Sequence, residues 1–260
     1  MSIYQHYRKH EHPFVDQALS WKQQVESKFI VYVTDFLDPR EQQILQMIIG
    51  EKNDEIKVLF FGGTELTERK RAVIAPYYEE VSDSFYQLTL LGATYPNKFI
   101  SLSHRDILGT LMSLGIERKV IGDIFVEDDQ FHFFTTEEIA PFIQMNMTKI
   151  NQASIAMKEK PFNTSLNSND VWESSTHIVT SLRLDLLIKE IYRISRKQAT
   201  QLIKTNKVKV NFTDVDDPSV QVMKQDLLSV RGLGRSKIAE IKGTTRKNKT
   251  VLTVKRLKTR

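Results

Sequence analysis

The sequence predicts an α+β protein built from three small domains, and three observations carry this prediction. Through the first 160 residues, short runs of β-branched and aromatic residues alternate with segments of helical apolar spacing. A polar stretch with turn-forming composition follows at 161–180. The last part of the chain combines two short amphipathic helix patterns with strand patterns. We therefore expect an N-terminal α/β subdomain at 1–80, a central domain at 81–160, a linker at 161–180 and a C-terminal domain at 181–260.

The first 80 residues have the pattern of a mixed α/β unit. A helix is expected from Pro13 to about Lys28, because its apolar residues are spaced for burial on one face. Phe29–Val33 is a short apolar run rich in β-branched residues, which predicts a strand. Asp38-Pro39-Arg40-Glu41 is a strong helix start, with a capping aspartate, a proline in the first turn and an acid three residues on. Ile56–Phe61 is the next expected strand.

Residues 84–157 show the order strand, helix, strand, strand, helix, strand. This order predicts the split β-α-β topology that ferredoxin-like and RNA-recognition-motif domains share. Ser103 and Asp106 should form a capping box at the first helix, and Pro141 should shorten or kink the second. The expected strands are 85–94, 121–126, 131–134 and 148–157, and the expected helices begin at Ser103 and Thr135.

The aromatic segment Asp129–Phe134 could serve two purposes. One of the pairs Phe131/Phe133 and His132/Phe134 must face away from the helices, because successive strand residues point to opposite faces. The segment lacks the glycine and basic residues of the ribonucleoprotein signature. We favour packing against a neighbouring domain, with base stacking as the alternative.

Two short amphipathic helices open the C-terminal domain. Ser181 is expected to cap the first helix and Ser195 the second, because a hydroxyl can accept a bond from a free N–H of the first turn. Asn206 should end the second helix, since asparagine tolerates the left-handed conformation. The polar side of the second helix, opposite its apolar stripe, consists of Arg196, Lys197, Thr200 and Lys204.

The charge is divided unevenly along the chain. Residues 181–260 hold 20 Lys and Arg against 7 Asp and Glu, which leaves 17 against 25 in the first 180. From 231 to 260 there are 11 basic residues and one acid, Glu240, and a hairpin turning at 245–248 would carry a positive tip. Charge gathered at one end favours a localised phosphate contact over a dispersed, solubilising surface.

At these residues the chain resembles the S-four RNA-binding domain. The matching positions are Arg183-Leu184-Asp185, Ser195-Arg196, Ala199, Leu202-Ile203, Val208-x-Val210-Asn211 and Asp226-x-Leu228-x-Val230-Arg231. Asn206 and Gln225 stand where the family pattern usually has glycine, and both are positions of backbone conformation. The resemblance covers about a fifth of the chain. It implies that Arg183, Arg196, Lys197, Lys204 and Lys207 face RNA.

From the resemblance and the helix pattern together we predict an RNA-binding site without catalytic or metal-ligating residues. Its predicted members are Arg183, Arg196, Lys197, Thr200, Lys204, Lys207, Lys209, Arg231 and Arg235. Secondary candidates come from other basic segments. These are Arg69, Lys70, Arg71, Arg105, Arg246 and Lys247. The alternative interpretation is a solvated helix end for 69–71, an exposed first-turn residue for Arg105 and a frayed tail for 246–247.

The upstream sequence is similar to the YlmH family, bacterial proteins with a C-terminal S-four domain encoded in cell-division gene neighbourhoods. The similarity lies in Thr34–Gln42, in Gly62-Gly63 followed by Glu68–Arg71, and in Ser103–Gly109 through Gly122–Ile124. It implies binding to ribosomal RNA of the large subunit together with transfer RNA. By analogy with small S-four proteins that handle obstructed large subunits, it also implies rescue or quality control of stalled ribosomes.

The composition also bears on the compartment, on membrane insertion and on metal binding. There is no cysteine and no apolar run of membrane-spanning length, so we expect a cytoplasmic protein without disulfides or thiolate metal sites. We also expect a monomer that holds no metal or cofactor. His6, His10 and His12 have ligand-like spacing but lie near the terminus without acidic or thiolate ligands beside them.

Two other functions are alternatives to RNA binding in ribosome rescue. One is an RNA-modifying enzyme such as a pseudouridine synthase, and the other is a cell-division scaffold that binds protein through its acidic part. The sequence lacks a second Arg-Leu-Asp motif in a catalytic domain and a glycine-rich methyl-donor loop.

Overall fold

The structure is a computed structural model that describes residues 3–50, 54–96, 100–166, 171–244 and 249–258. Its contacts divide the chain into two compact units, Met1–Asn169 and Asp170–Arg260, each of which has its own core. The predicted α+β class is confirmed.

The N-terminal part of the first unit is a three-stranded antiparallel sheet with two helices on one face. The strand order is β1-β3-β2. The elements are α1 (His12–Lys28), β1 (Tyr32–Leu37), α2 (Pro39–Ile49), β2 (Ile56–Phe61) and β3 (Lys70–Pro76). Both predicted helices are present, and the predicted capping box at Asp38 forms, with its carboxylate accepting from the backbone N–H groups of Arg40 and Glu41.

Two strand predictions in this part need correction. Phe29 ends α1 in the left-handed conformation, so the first strand begins at Tyr32, later than the apolar run suggested. Of the basic cluster 69–71 after Gly62-Gly63, Lys70 and Arg71 begin β3, a strand that the sequence did not predict and that is central in the sheet. It was missed because its two leading basic residues hide an otherwise apolar strand.

The second part of the first unit is the predicted split β-α-β domain. Its four-stranded antiparallel sheet has the order β5-β6-β4-β9. The elements are β4 (Leu88–Thr94), α3 (His104–Ser113), β5 (Ile121–Val126), β6 (Gln130–Thr136), α4 (Ala140–Asn146), β7 (Lys149–Ile150), β8 (Ala153–Ser154) and β9 (Lys158–Lys160).

Two boundaries in this domain differ from the prediction. Thr135 and Thr136 remain in β6, so the second helix starts at Ala140 and Pro141 lies in its first turn, where proline is tolerated. The segment expected as one closing strand instead forms a small β7–β8 hairpin, and the sheet is closed by β9.

The two sheets of the first unit share a core, and this decides the role of the aromatic segment. Phe131 and Phe133 pack on the helix side, whereas the fully buried Phe134 packs with Phe36 and Leu90 between the sheets. Gly63, at φ 103°, lies so close to Phe134 that a Cβ there would overlap its ring. Packing against a neighbouring part of the chain, the favoured interpretation, is therefore what the structure shows.

The second unit is a six-stranded antiparallel sheet with two helices on one face. The order is β10-β15-β14-β13-β11-β12. The elements are β10 (Trp172–Val179), α5 (Leu184–Tyr192), α6 (Arg196–Lys204), β11 (Val208–Val210), β12 (Thr213–Asp214), β13 (Leu227–Val230), β14 (Gly234–Thr244) and β15 (Thr250–Leu257). The predicted linker 161–180 is thus wrong in its second half, since 172–179 pairs along its length with β15.

Candidate nucleic-acid interface

The two helices of the second unit are held at their ends by local hydrogen bonds. Ser195 caps α6 as predicted, forming a reciprocal box with Gln198. Asn206 is left-handed at φ 53°, also as predicted. Ser181 does not cap α5, because the helix starts later, at Leu184. The first N–H groups of α5 instead donate to backbone carbonyls of the loop 217–220.

A buried carboxylate lies at the centre of the predicted site. Asp185, in the first turn of α5, is 1% exposed, and it accepts hydrogen bonds from two arginines. Arg183 Nε lies 3.0 Å from Oδ1, and Arg196 Nε lies 2.9 Å from Oδ2. Burial alone would raise the pKa of Asp185, but the two guanidinium groups outweigh it and hold that pKa below its ordinary value. Asp185 is therefore ionised and holds both arginines in place.

Five predicted residues surround one open depression of about 510 Å³. Its lining includes four cations and two carboxylates, so it keeps a net positive charge. The lining residues are Arg183, Asp185, Arg196, Lys197, Thr200, Lys204, Asp217, Pro218 and Ser219. We call this set the cationic depression. Sequence reasoning gave Asp185 no role in the site and did not include the loop 217–219. The Arg-Leu-Asp spacing could have indicated the role of Asp185.

The other predicted residues lie elsewhere on the unit. Lys207 and Arg231 are exposed neighbours at one sheet end, where the Arg231 N–H donates to the Lys207 carbonyl over 2.8 Å. Lys209 and Arg235 flank Ser229 across three strands, on the face opposite the helices. Lys209 Nζ is 3.9 Å from Asp214, and the Arg235 guanidinium lies 5.8 Å from the Phe212 ring centroid. The predicted set therefore does not form one continuous surface.

Two of the secondary candidates, Arg69 and Arg71, donate hydrogen bonds to backbone carbonyls within the first unit. Arg71 is 7% exposed and donates to the carbonyls of Thr34, Tyr86 and Gln87. Arg69 donates from Nε and Nη2 to the carbonyls of Ile121 and Phe36. The interpretation of Arg71 as a phosphate contact is therefore wrong, because its side chain is buried and donates to internal carbonyls.

The remaining secondary candidates have mixed positions. Lys70 is half-buried in β3, opposite Leu37. Arg105 is exposed in the first turn of α3, between Ser103 and Asp106, which form the predicted capping box. Arg246 and Lys247 lie outside the described residues, as does the predicted turn at 245–248. The flanking strands β14 and β15 do pair as an antiparallel hairpin, with Leu252 and Val254 buried.

Comparison with known proteins covers the whole chain. Three family models match: "YlmH, N-terminal" at 10–79, "Putative RNA-binding domain in YlmH" at 82–164 and "S4 domain" at 182–228. The ribosome-associated protein quality control protein P2 of Bacillus subtilis (strain 168) is 39% identical over 258 residues, which is 98% of this chain and 99% of that protein. The chain belongs to the YlmH family.

A solved structure agrees with this assignment. The cell division protein ylmH from Streptococcus pneumoniae matches with a TM-score of 0.54 and 28% identity, over 64% of this chain and 100% of that one. The family resemblance drawn from the motifs is thus confirmed. In this YlmH-family protein the S4 match ends at 228, so Arg231 and Arg235 lie beyond the matched segment.

The family membership also bears on the central domain. The matched RNA-binding model at 82–164 includes the sheet whose outer aromatic, Phe134, is buried against the first sheet. Base stacking on that ring is excluded by its burial.

The helices of this YlmH-family protein, within the part of the chain that the structure describes, include none with the length and hydrophobicity of a membrane span.

Proposed function

We propose that this protein is a non-enzymatic, cytoplasmic RNA-binding adaptor. It binds ribosomal RNA of the large subunit together with transfer RNA, and acts as a monomer in the rescue or quality control of stalled ribosomes. The observation that carries the proposal is the convergence of Arg183, Arg196, Lys197 and Lys204 on one depression. The Bacillus subtilis relative, named for ribosome-associated quality control, supports the cellular role.

The arrangement around Asp185 suits backbone recognition of folded RNA. A guanidinium has five N–H donors. Arg183 and Arg196 each direct Nε and Nη2 to Asp185, which leaves donors for phosphate oxygens. Because the carboxylate fixes both side chains before RNA arrives, less side-chain entropy is lost on binding. Such contacts read shape and phosphate position rather than bases.

The proposal of binding without catalysis rests on the chemistry of the cationic depression. Its side chains neutralise charge and donate hydrogen bonds, and its two carboxylates are paired with arginine or serine. An S4 domain that serves a modifying enzyme delivers RNA to a separate catalytic domain, and the sequence lacks the motifs of the known ones. Incubating ribosomal RNA with the protein and mapping masses would expose a new modification, which would overturn this part.

Co-sedimentation with purified ribosomal subunits tests the proposed target. The full chain should pellet with large subunits and not with small ones, and transfer RNA bound to the large subunit should increase the retained fraction. Equal retention on both subunits, or none at low ionic strength, would contradict the proposal. A crosslinking map of the attached RNA then identifies the ribosomal helix.

A further inference from the structure

The first unit carries a net negative charge. Residues 1–169 contain 17 Lys and Arg against 23 Asp and Glu. Arg69 and Arg71, which the sequence offered as phosphate contacts, donate to internal carbonyls. A net negative surface repels a polyanion and attracts a basic partner. Away from any local basic site, this charge favours a positively charged partner.

An exposed apolar patch lies at one end of the first sheet. Phe29 is 70% exposed, Ile30 40%, Tyr77 62% and Tyr78 59%. Phe29 and Ile30 precede β1, while Tyr77 and Tyr78 follow β3. The antiparallel pairing of these strands, with Tyr32 opposite Ile74, brings the two segments to the same sheet end. We call these four residues the tyrosine patch.

Folding of the unit does not account for the tyrosine patch. Phe29 adopts φ 55°, a left-handed conformation that is unfavourable for a bulky side chain, and its ring is still left in water. The Tyr77 and Tyr78 rings contact each other edge to face at 5.8 Å. Single exposed apolar residues such as Met47 and Leu66 are ordinary, but contiguous aromatic ones mark interaction sites.

Acidic residues lie on the two chain segments next to the tyrosines. The Tyr77 N–H donates to the Glu55 carbonyl over 2.9 Å, so the backbone pairing brings Asp54 and Glu55, which immediately precede β2, next to Tyr77. A turn closed by the Glu79 N–H and the Pro76 carbonyl holds Glu79 and Glu80 directly after the tyrosines. The basic residues in the same segments are Lys28 and Lys57. The rim is therefore acidic on balance.

We propose that the tyrosine patch binds an Arg- and Lys-rich segment of a partner protein. A guanidinium or ammonium group can lie over the tyrosine rings by a cation–π interaction. The aliphatic stems of such side chains can cover Phe29 and Ile30 while their charged ends reach the acidic rim. RNA is disfavoured by that rim. A symmetric contact between two copies would bring the rim against itself, which opposes self-association.

A peptide-binding experiment on the full chain tests this proposal. The probe is a short fluorescent peptide of alternating arginine and serine, and the readout is anisotropy as the protein is titrated. Tyr77→Ala with Tyr78→Ala should weaken binding about tenfold or more, because two ring contacts are lost. Glu79→Gln with Glu80→Gln should weaken binding and flatten its salt dependence. The matched control, Met47→Ala with Leu66→Ala, removes equally exposed apolar groups elsewhere and should leave affinity unchanged.

Three results would overturn the proposal. One is equal peptide affinity for the wild type and the double tyrosine variant. Another is tyrosine-dependent binding of an oligouridylate probe, which would make the patch an RNA site. The third is a concentration-dependent dimer that the tyrosine variant loses, which would make the occupant a second copy. RNA affinity of the cationic depression, measured on the same variants, should stay at the wild-type value, so either proposal can fail alone.

Discussion

At the scale of single residues, one buried carboxylate organises the proposed interface. Asp185 fixes Arg183 and Arg196, which come from the start of α5 and the start of α6. The helical period alone predicts the positions of Arg196, Lys197 and Lys204, because these depend only on local geometry. The pairing of Arg196 with Asp185 depends on how the two helices pack, so a sequence pattern cannot give it.

Replacing Asp185 with asparagine should lower the free energy of unfolding by about 2–3 kcal/mol at pH 7, because two arginines lose charge-assisted bonds. Urea unfolding followed by Trp172 fluorescence in a Trp21→Phe background measures this in the full chain. Asp217→Asn serves as the control, since Asp217 is exposed and bonded only locally to Ser219.

The same variant has a defined pH dependence. The folded-state pKa of Asp185 is below its ordinary value, so its stabilising effect is present above about pH 4 and is lost as the pH falls through the folded pKa. The difference between wild type and Asp185→Asn should therefore persist from pH 7 to 5 and vanish in stronger acid. A difference that stays constant into acid would show that the carboxylate charge is not what stabilises the fold.

At the scale of elements, local signals were predictable and non-local ones were not. The caps at Asp38, Ser103 and Ser195 follow from residues within one turn, and all three form. Strand β3 begins with basic residues, and its placement depends on β1 and β2 on either side. Strand β10 is polar and exposed on much of its length, so only its pairing with β15 reveals it.

Arg71 links the two parts of the first unit, and its removal should show this. Arg71→Met should destabilise that unit by about 3 kcal/mol or more, because buried carbonyls of Thr34 and Tyr86 lose a charged donor. Unfolding followed by Trp21 fluorescence in a Trp172→Phe background measures the effect, with the exposed Arg105→Met as the control. Weaker RNA binding at unchanged stability would instead restore the phosphate-contact interpretation.

At the scale of the whole molecule, the two units differ in the sign of their net charge. The second unit carries the excess of cations, and the first is acidic with its sheet aromatics buried. Composition and the S-four motif predicted this polarity and the general class of partner. They could not predict that Lys209 and Arg235 lie on the sheet face away from the cationic depression, because that depends on strand register.

Counterion release gives a quantitative expectation for the whole protein. If roughly 6–10 phosphates are contacted, affinity for structured ribosomal RNA should fall on the order of a thousandfold or more between 50 and 200 mM salt. Removing two of these contacts should reduce the slope of log affinity against log salt by about 1.5–2. A salt-independent affinity would mean that phosphate contacts do not drive binding.

Charge reversal in the cationic depression tests the central claim most directly. Binding of the full chain to purified large subunits is measured for the wild type, for Lys197→Glu with Lys204→Glu, and for the control Lys149→Glu with Lys158→Glu, which changes net charge equally on exposed residues of the first unit. The depression variant should lose about a hundredfold or more in affinity while its unfolding curve is kept, and the control should bind nearly as the wild type does. Equal binding by all three proteins, or equal loss in both variants, would contradict RNA recognition by the cationic depression.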